Sequence, residues 1–468
     1  MNHCDIAIYG LGPASIFFLK KFINTNIKIN IYEFANEDSI SKLDTIDHIT
    51  GPIEFFKNNN KERASGFFGT ASLWNQKGVG GKFFKFDKED FEKWHWPITL
   101  AEIDENYEAI IKYLKNNFAI NLEGDFNELD LKSIINFKAK SQVLQKKGSQ
   151  TLSYNFNKVI KGFKSKIKNS KNINIFYQSE LINFEIKKDA NLVDYSNVVI
   201  NGDIKKVNAN FHILSTGCLE SNKILLNTFK DTPSYIENKY IGKNLTFHIS
   251  SNIGRFYPAG SKIKKKKLTK KFNFTNEILG LKIINFEEDE ANSAIFYTFD
   301  QPSSKNILKR CYNQFYGDID AINTSFIFEH FPSVSNYIEL SNKKNKEGGV
   351  MFNIFTDFTD KNLNFAKKKY KAYASLLEQS DICDYQFSKE DFSVNLETNN
   401  HHHGGLIFGD KNSAPVDRNL QFKDLNNLYI NGSSVFPSGS IYNPTFTIIA
   451  LADRLSNFIL KKYYNTKC

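Results

Sequence analysis

Cysteine is scarce in this sequence: five residues in 468, at Cys4, Cys218, Cys311, Cys383 and Cys468, all far apart. Their odd number and the lack of any CxxC pair argue against a disulfide framework, a structural zinc site or an iron–sulfur cluster. A haem-attachment CxxCH is also missing, so an electron relay would have to reside on another chain. Long apolar runs are lacking too, and nothing approaches the roughly 20 residues that a membrane-spanning helix needs. The first five residues lead straight into an apolar segment without a basic region or a small-residue cleavage site. The expectation is a cytoplasmic chain without a secretory signal.

What is present has globular proportions, 41% hydrophobic and 24% charged residues. The length exceeds that at which single cores usually stop growing, so two intimately packed domains are expected. The formal charge of +10 accompanies Lys and Asn spread along the whole chain, which reads as a compositional habit and not as a nucleic-acid footprint. One dense basic run, residues 262–271 (KIKKKKLTKK), lies beside Pro258 and Gly260. It reads as a solvated surface loop, with contact to a membrane surface or an acidic protein as the lesser alternative.

Residues 5–9 (DIAIY) form an apolar strand candidate, followed by Gly10-Leu11-Gly12-Pro13-Ala14-Ser15 and a helical pattern over 16–22. A second β-branched run, 27–32, ends in Glu33, about 20 residues after the glycines, where a nucleotide-binding fold places the acid that takes ribose hydroxyls. In such a unit Gly10 permits the tight turn, Gly12 lets the backbone approach a pyrophosphate, and the small Ser15 lets the helix pack closely. The helix N-terminus then offers unpaired N–H groups to the phosphates. Residues 172–177, 198–200 and 211–214 read as further strands. Ser215-Thr216-Gly217 makes a small-residue turn before a helix over 219–226. From 244 to 399 aromatic and polar residues alternate, with strand candidates at 295–299, 324–328, 337–340 and 351–355, as in a mostly antiparallel sheet. Nucleotide-type segments therefore bracket a β-rich one.

The stretch 427–455 (NLYINGSSVFPSGSIYNPTFTIIALADRL) closely resembles the C-terminal signature of the glucose-methanol-choline oxidoreductases. So do His401-His402-His403-Gly404, like that family's HxxG element, residues 213–226 (ILSTGCLESNKILL), residues 241–248 (IGKNLTFH), and the DF, WP and later Tyr within 86–107. The resemblance implies an α/β fold with FAD as cofactor: a Rossmann-like βαβ domain, discontinuous in sequence (1–110, 170–245 and 395–468). A second, substrate-binding unit on a mostly antiparallel sheet would take 111–169 and 246–394. It also implies that Asn443, Pro444 and Thr445 sit against the flavin ring, and that Gly432 and Ser433 lie near its ribityl and pyrophosphate groups. His401 would be the active-site base, with Asn443 as its partner. Gly10, Gly12, Ala14, Ser15, Glu33, Gly69, Ser72, Trp74, Asn75, Leu181, Thr216, Gly217 and Asn222 complete the expected cofactor contacts.

Two departures stand out. The family's flavin loop reads like GGTSxxWGG, whereas residues 69–78 read GTASLWNQKG; and Gly405-Leu406-Ile407-Phe408 follows the HxxG element in place of a Thr and a basic residue. The implied activity is oxidation of a CH–OH group in a small alcohol, polyol, sugar-like substrate or biosynthetic intermediate, by hydride transfer to flavin N5. A dehydrogenase with an unidentified electron acceptor is favoured over an oxidase. The departures leave room for a flavin protein of lyase or decarboxylase type, or for an accessory protein with structural FAD. The residue chemistry agrees with the leading reading, since a histidine with a pKa near 6.5 can take a hydroxyl proton while Asn443 donates a hydrogen bond to the oxygen.

Three consecutive histidines also suggest a metal, but adjacent side chains diverge along an extended chain and no acid or cysteine lies at ligand spacing, so none is expected. His402 and His403 read as packing or solvent-facing residues. His248 could line the substrate cavity, but a histidine in an apolar strand is more often satisfied by a backbone partner, and the structural reading is favoured. Trp74 and Trp96 read as core or cavity walls, and Glu220 as a holder of the turn or a helix cap.

Overall fold

The structure is a computed structural model that describes residues 3–51, 63–75, 83, 85, 86, 88–118, 142–146, 156–231, 239–258, 279–284, 293–300, 321–346, 348–357, 360, 362–365, 367, 368, 383–387, 396–411, 413–440 and 442–466. The basic run 262–271 lies outside them. Strand Cys4–Tyr9 is almost entirely buried, as a strand covered on both faces of a parallel sheet must be. It is the middle of five parallel strands in the order Leu428–Ile430, Ala209–Leu214, Cys4–Tyr9, Ile29–Tyr32, Ile173–Phe176. The expected βαβ unit is present. Its helix runs Pro13–Leu19, shorter than the apolar pattern suggests and with Pro13 in the first turn, where a missing N–H costs nothing.

The helix Thr445–Asn465 packs against Pro13–Leu19 and against helix Leu100–Phe118. That last helix is continuous across residue 110, and Phe118 shares one apolar core with Phe17, Val159, Phe163 and Ile167. The Phe17 and Phe163 rings lie 5.3 Å apart. Segments 111–118 and 156–168, expected in the second unit, thus pack on the parallel sheet. Burial explains the difference, because a fully buried phenylalanine contributes about 1.5–3 kcal/mol over an exposed one. Residues 198–200 end the strand Leu192–Ile200, which belongs to a separate antiparallel three-stranded sheet with Ser179–Lys187 and Asp203–Val207.

The second large sheet has ten strands among the described residues and is built around the long strand Lys243–Pro258. Ser293–Asp300, Ala321–Glu329, Tyr337–Lys344 and Val350–Phe355 contain the four strands expected from alternation. Its pairings are antiparallel except where Ile46–Thr50 runs parallel to Val350–Phe355. Strand Leu396–Gly405, which carries the histidine run, pairs antiparallel with Lys243–Pro258. Among the described residues no helix is long and apolar enough to cross a membrane.

Candidate functional site

Three adjacent parallel strands end in glycine turns: Cys4–Tyr9 before Gly10 and Gly12, Ala209–Leu214 before Gly217, and Leu428–Ile430 before Gly432. A Cβ placed on Gly12, Gly217 or Gly432 would meet nothing within 4 Å. Bare backbone thus faces open space at the carboxyl ends of the strands, where open α/β sheets bind their ligands. Gly10 is different. Its φ is +88°, and an added Cβ would lie 2.7 Å from the Ser215 carbonyl oxygen, so the residue is needed by the fold itself. We expect Gly10→Ala to lower apo-protein stability by about 2 kcal/mol or more. Gly12→Ala should leave it nearly unchanged and weaken cofactor binding instead. Denaturant midpoints and flavin titrations of the two variants check this contrast.

Other turn residues hold the cradle in shape. Ser15 is buried and its hydroxyl donates to the Gly10 carbonyl at 2.7 Å, Ala14 is buried beside it, and the Thr216 and Ser221 hydroxyls lie 3.0 Å apart. Glu33, the acid expected to take ribose hydroxyls, is buried and bonded within the protein. Its carboxylate takes N–H bonds from Leu11 at 2.8 Å, Gly66 at 2.9 Å and Ala35 at 3.1 Å, and burial raises its pKa to about 7 against the pull of those bonds. The carboxylate thereby draws the glycine turn and the 63–69 segment together. Gly69 opens the 3-10 turn Gly69–Asn75, its would-be Cβ 3.5 Å from Gly12 Cα, and the Ser72 hydroxyl donates to the Gly69 carbonyl at 2.7 Å. The side chains of Trp74 and Asn75 lie outside the described residues, whereas Trp96 is a core residue edge-on to Phe86, Phe91 and Phe408.

The side chains of Leu181, Asn222 and Ser433 are engaged within the protein. Leu181 is buried in the apolar core and pairs with Val198. Asn222 is fully buried and its amide donates to Cys218 O at 2.9 Å and Gly404 O at 3.1 Å. The Ser433 hydroxyl donates to His402 O at 2.8 Å. The last two fasten the histidine strand to the Gly217 and Gly432 turns, which places that strand beside the cradle.

The register Phe247↔His402 and Ile249↔Thr398 leaves the single residue His248 opposite residues 399–401, a bulge in the histidine strand. Bulges re-aim side chains. Here His401, half-buried, turns its Nδ1 to within 2.8 Å of His248 Nδ1, the two rings nearly perpendicular. The other histidines diverge: His402 meets Phe247 edge-on at 5.8 Å, and His403 stacks on Phe436 at 5.7 Å. Burial lowers His248 to about 4 and His402 to about 3. The same cause, reinforced by the neighbouring His248 and His402, pushes His401 well below its ordinary value. His401 is therefore neutral at physiological pH.

His248 Nε2 lies 2.9 Å from the Gly439 carbonyl, in the segment that continues through half-buried Asn443 to Pro444, the N-cap of the helix beginning at Thr445. Glu329 is a member that sequence reading missed. Fully buried, it accepts from Ser440 N at 3.0 Å and from the Ser438 hydroxyl, with its pKa raised by burial and then by Asp90. Its only signal was an acid at the end of an apolar strand run, which is not distinctive. Arg63 was missed as well, within the polar stretch before Gly66; it pairs with Glu220, which also binds Lys223 at 2.8 Å.

Residues 332–452 match the model of a family described as GMC oxidoreductase. The chain is 29% identical over 135 residues to a gluconate 2-dehydrogenase flavoprotein of Pantoea cypripedii, a match spanning 28% of this chain and 22% of that one. A pyridoxine 4-oxidase structure from Mesorbium loti superposes with a TM-score of 0.63 at 14% identity, covering 97% of this chain and 99% of that one.

Proposed function

We propose, from the premise that this chain belongs to the GMC oxidoreductases with FAD as cofactor, that it oxidises a CH–OH group of a small alcohol, polyol or sugar-like substrate. The observation that carries the reading is His401: neutral, half-buried, held at one ring nitrogen by His248, on a strand fastened to two of the open glycine turns. Those turns fit the cofactor, because the bare backbone at Gly12, Gly217 and Gly432 leaves space that any side chain would fill. Gly10, Ala14, Ser15, Thr216 and Gly69 shape the walls. Gly432 and the 443–445 turn would face the flavin end. When bound, FAD supplies the two-electron acceptor that takes the hydride at N5.

The protein's own part is positioning and proton transfer. His401 accepts the hydroxyl proton at the ring nitrogen not bonded to His248. Asn443 donates a hydrogen bond to the developing alkoxide, which stabilises charge where it forms. The names of the two similar proteins, a dehydrogenase of gluconate and an oxidase of pyridoxine, support a redox reaction; we take dehydrogenase as the reading, with the acceptor on a separate molecule.

The test is an anaerobic absorption titration of the FAD-loaded protein with sugars, sugar acids and alcohols. One substrate class should bleach the flavin bands, and His401→Ala should slow the bleaching by about 100-fold or more. Product formed with the flavin left oxidised would instead indicate a non-oxidative reaction, and a chain that takes up no FAD would end the proposal.

A further inference from the structure

We infer that His248 is a positioning residue that fixes the tautomer of His401, so that the lone pair of His401 Nε2 is the one left free to take a proton. The inference rests on the reading of His401 as the base and deepens it. Gly439 O can only accept, so the 2.9 Å contact requires the proton of His248 on Nε2. A neutral imidazole carries one N–H, and His248 is neutral because burial lowers it to about 4. Its Nδ1 is therefore an acceptor. The proton in the 2.8 Å contact between the two Nδ1 atoms must then belong to His401. His401 is neutral as well, so its Nε2 bears no proton. No other assignment gives both contacts a donor and an acceptor with neutral rings.

The rest of the site holds this chain of bonds in place. The bulge opposite His248 brings His401 around to meet it. Gly439 presents its carbonyl from between Ser438 and Ser440, both bound to Glu329, and Ser440 sits at φ +56°, a backbone state that a non-glycine residue keeps only under such restraint. A Cβ on Gly439 would lie 2.2 Å from the His403 ring, so the carbonyl can approach His248 only because the residue is glycine. Glu329 fixes the carbonyl, the carbonyl fixes His248, and His248 fixes His401. The order of bonds parallels the general rule that the partner of one ring nitrogen decides what the other can do.

The experiment is nitrogen-15 NMR of histidine-labelled, FAD-loaded protein without substrate, with resonances assigned by difference against His401→Gln and His248→Asn. The expected wild-type result is a protonated-type Nδ1 and an unprotonated-type Nε2 for His401, with the reverse pattern for His248. His401 carrying its proton on Nε2 in the wild-type protein would overturn the inference. Two variants extend it. His248→Phe removes the acceptor, should shift His401 toward the Nε2–H form, and should slow flavin reduction by about 10-fold or more. His248→Asn keeps an acceptor oxygen near the Nδ1 position and should preserve both the tautomer and most of the rate. An unchanged His401 tautomer in His248→Phe would also overturn the inference. Failure of the parent reading is separately visible: if His401→Ala reduces its flavin at the wild-type rate, His401 is not the base, whatever its tautomer.

Discussion

Acidification from pH 6.5 to pH 5 is expected to remove about 5 kcal/mol or more of folding stability, a large part of the 5–15 kcal/mol that a typical domain possesses. The cause is the number of histidines buried in neutral form. Burial, the largest influence in each case, lowers His212 to about 3, His248 to about 4, His330 to about 4 and His402 to about 3 from an unfolded value of 6.5. A group with a depressed folded pKa gives stability that is present above its unfolded value and is lost as pH falls toward the folded one. Each such histidine loses roughly 1–2 kcal/mol over this interval. Glu33 acts in the opposite sense, since its folded value of about 7 lies above the unfolded 4.5; acidification over the same interval returns about 2 kcal/mol. His401 and His403, also lowered by burial, add to the loss. Denaturant midpoints at half-unit pH steps measure the effect, and a midpoint that stays level from pH 7 to pH 5 would refute it.

Glu220→Ala should be the most damaging single substitution at the junction of the two sheets, costing about 3–5 kcal/mol. Burial alone would raise the Glu220 carboxyl, but Lys223 and Arg63 overcome it and hold the pKa at about 2. Both cations are themselves buried, with side chains 7% and 9% exposed. Removing the carboxylate leaves two desolvated positive charges, with Glu180 at 3.6 Å from Lys223 as a more distant acid. Thr45, which donates to Glu220 at 2.5 Å, lies just before strand Ile46–Thr50 of the large sheet. Glu220 therefore joins the first turn of the Gly217 helix to that sheet. Its stability is present above pH 4.5 and disappears only as pH falls toward 2, outside the histidine interval, so the two effects separate in a pH series. The check is the denaturant midpoint of Glu220→Ala at pH 7.5; a loss under about 1 kcal/mol would mean that solvent reaches Arg63 and Lys223.

Local chemistry makes the first βαβ unit legible in the residues alone. Gly10, Gly12, Pro13 and the apolar strand specify their turn within ten residues, and strands such as Ser293–Asp300 follow from alternation alone. What escaped depends on partners remote in the chain. Asn222 has the composition of a turn ligand, but its bond to Gly404 spans 182 positions. Arg63 sits in a charged stretch, yet its buried partner is 157 residues away. The bulge before His402 has no mark in the residues 399–401 themselves; it exists because Thr398 and His402 must both pair with Lys243–Pro258. His248 was legible as a residue with a backbone partner, and that partner is Gly439. The second partner, His401, depended on the bulge.

The order of strands in the parallel sheet also sets a timetable for making the protein. Strand Cys4–Tyr9 emerges long before its neighbour Ala209–Leu214, whose other edge is paired only by Leu428–Ile430, and helix Pro13–Leu19 is covered by Thr445–Asn465. At translation rates of about 5–20 residues per second, roughly 20–80 s separate these events. Throughout that interval the ribosome-bound chain displays an unpaired strand edge and an apolar helix face, and it lacks the third glycine turn of the cradle. Pairings so distant in sequence form slowly. Chaperone binding to that edge during synthesis is the expected consequence.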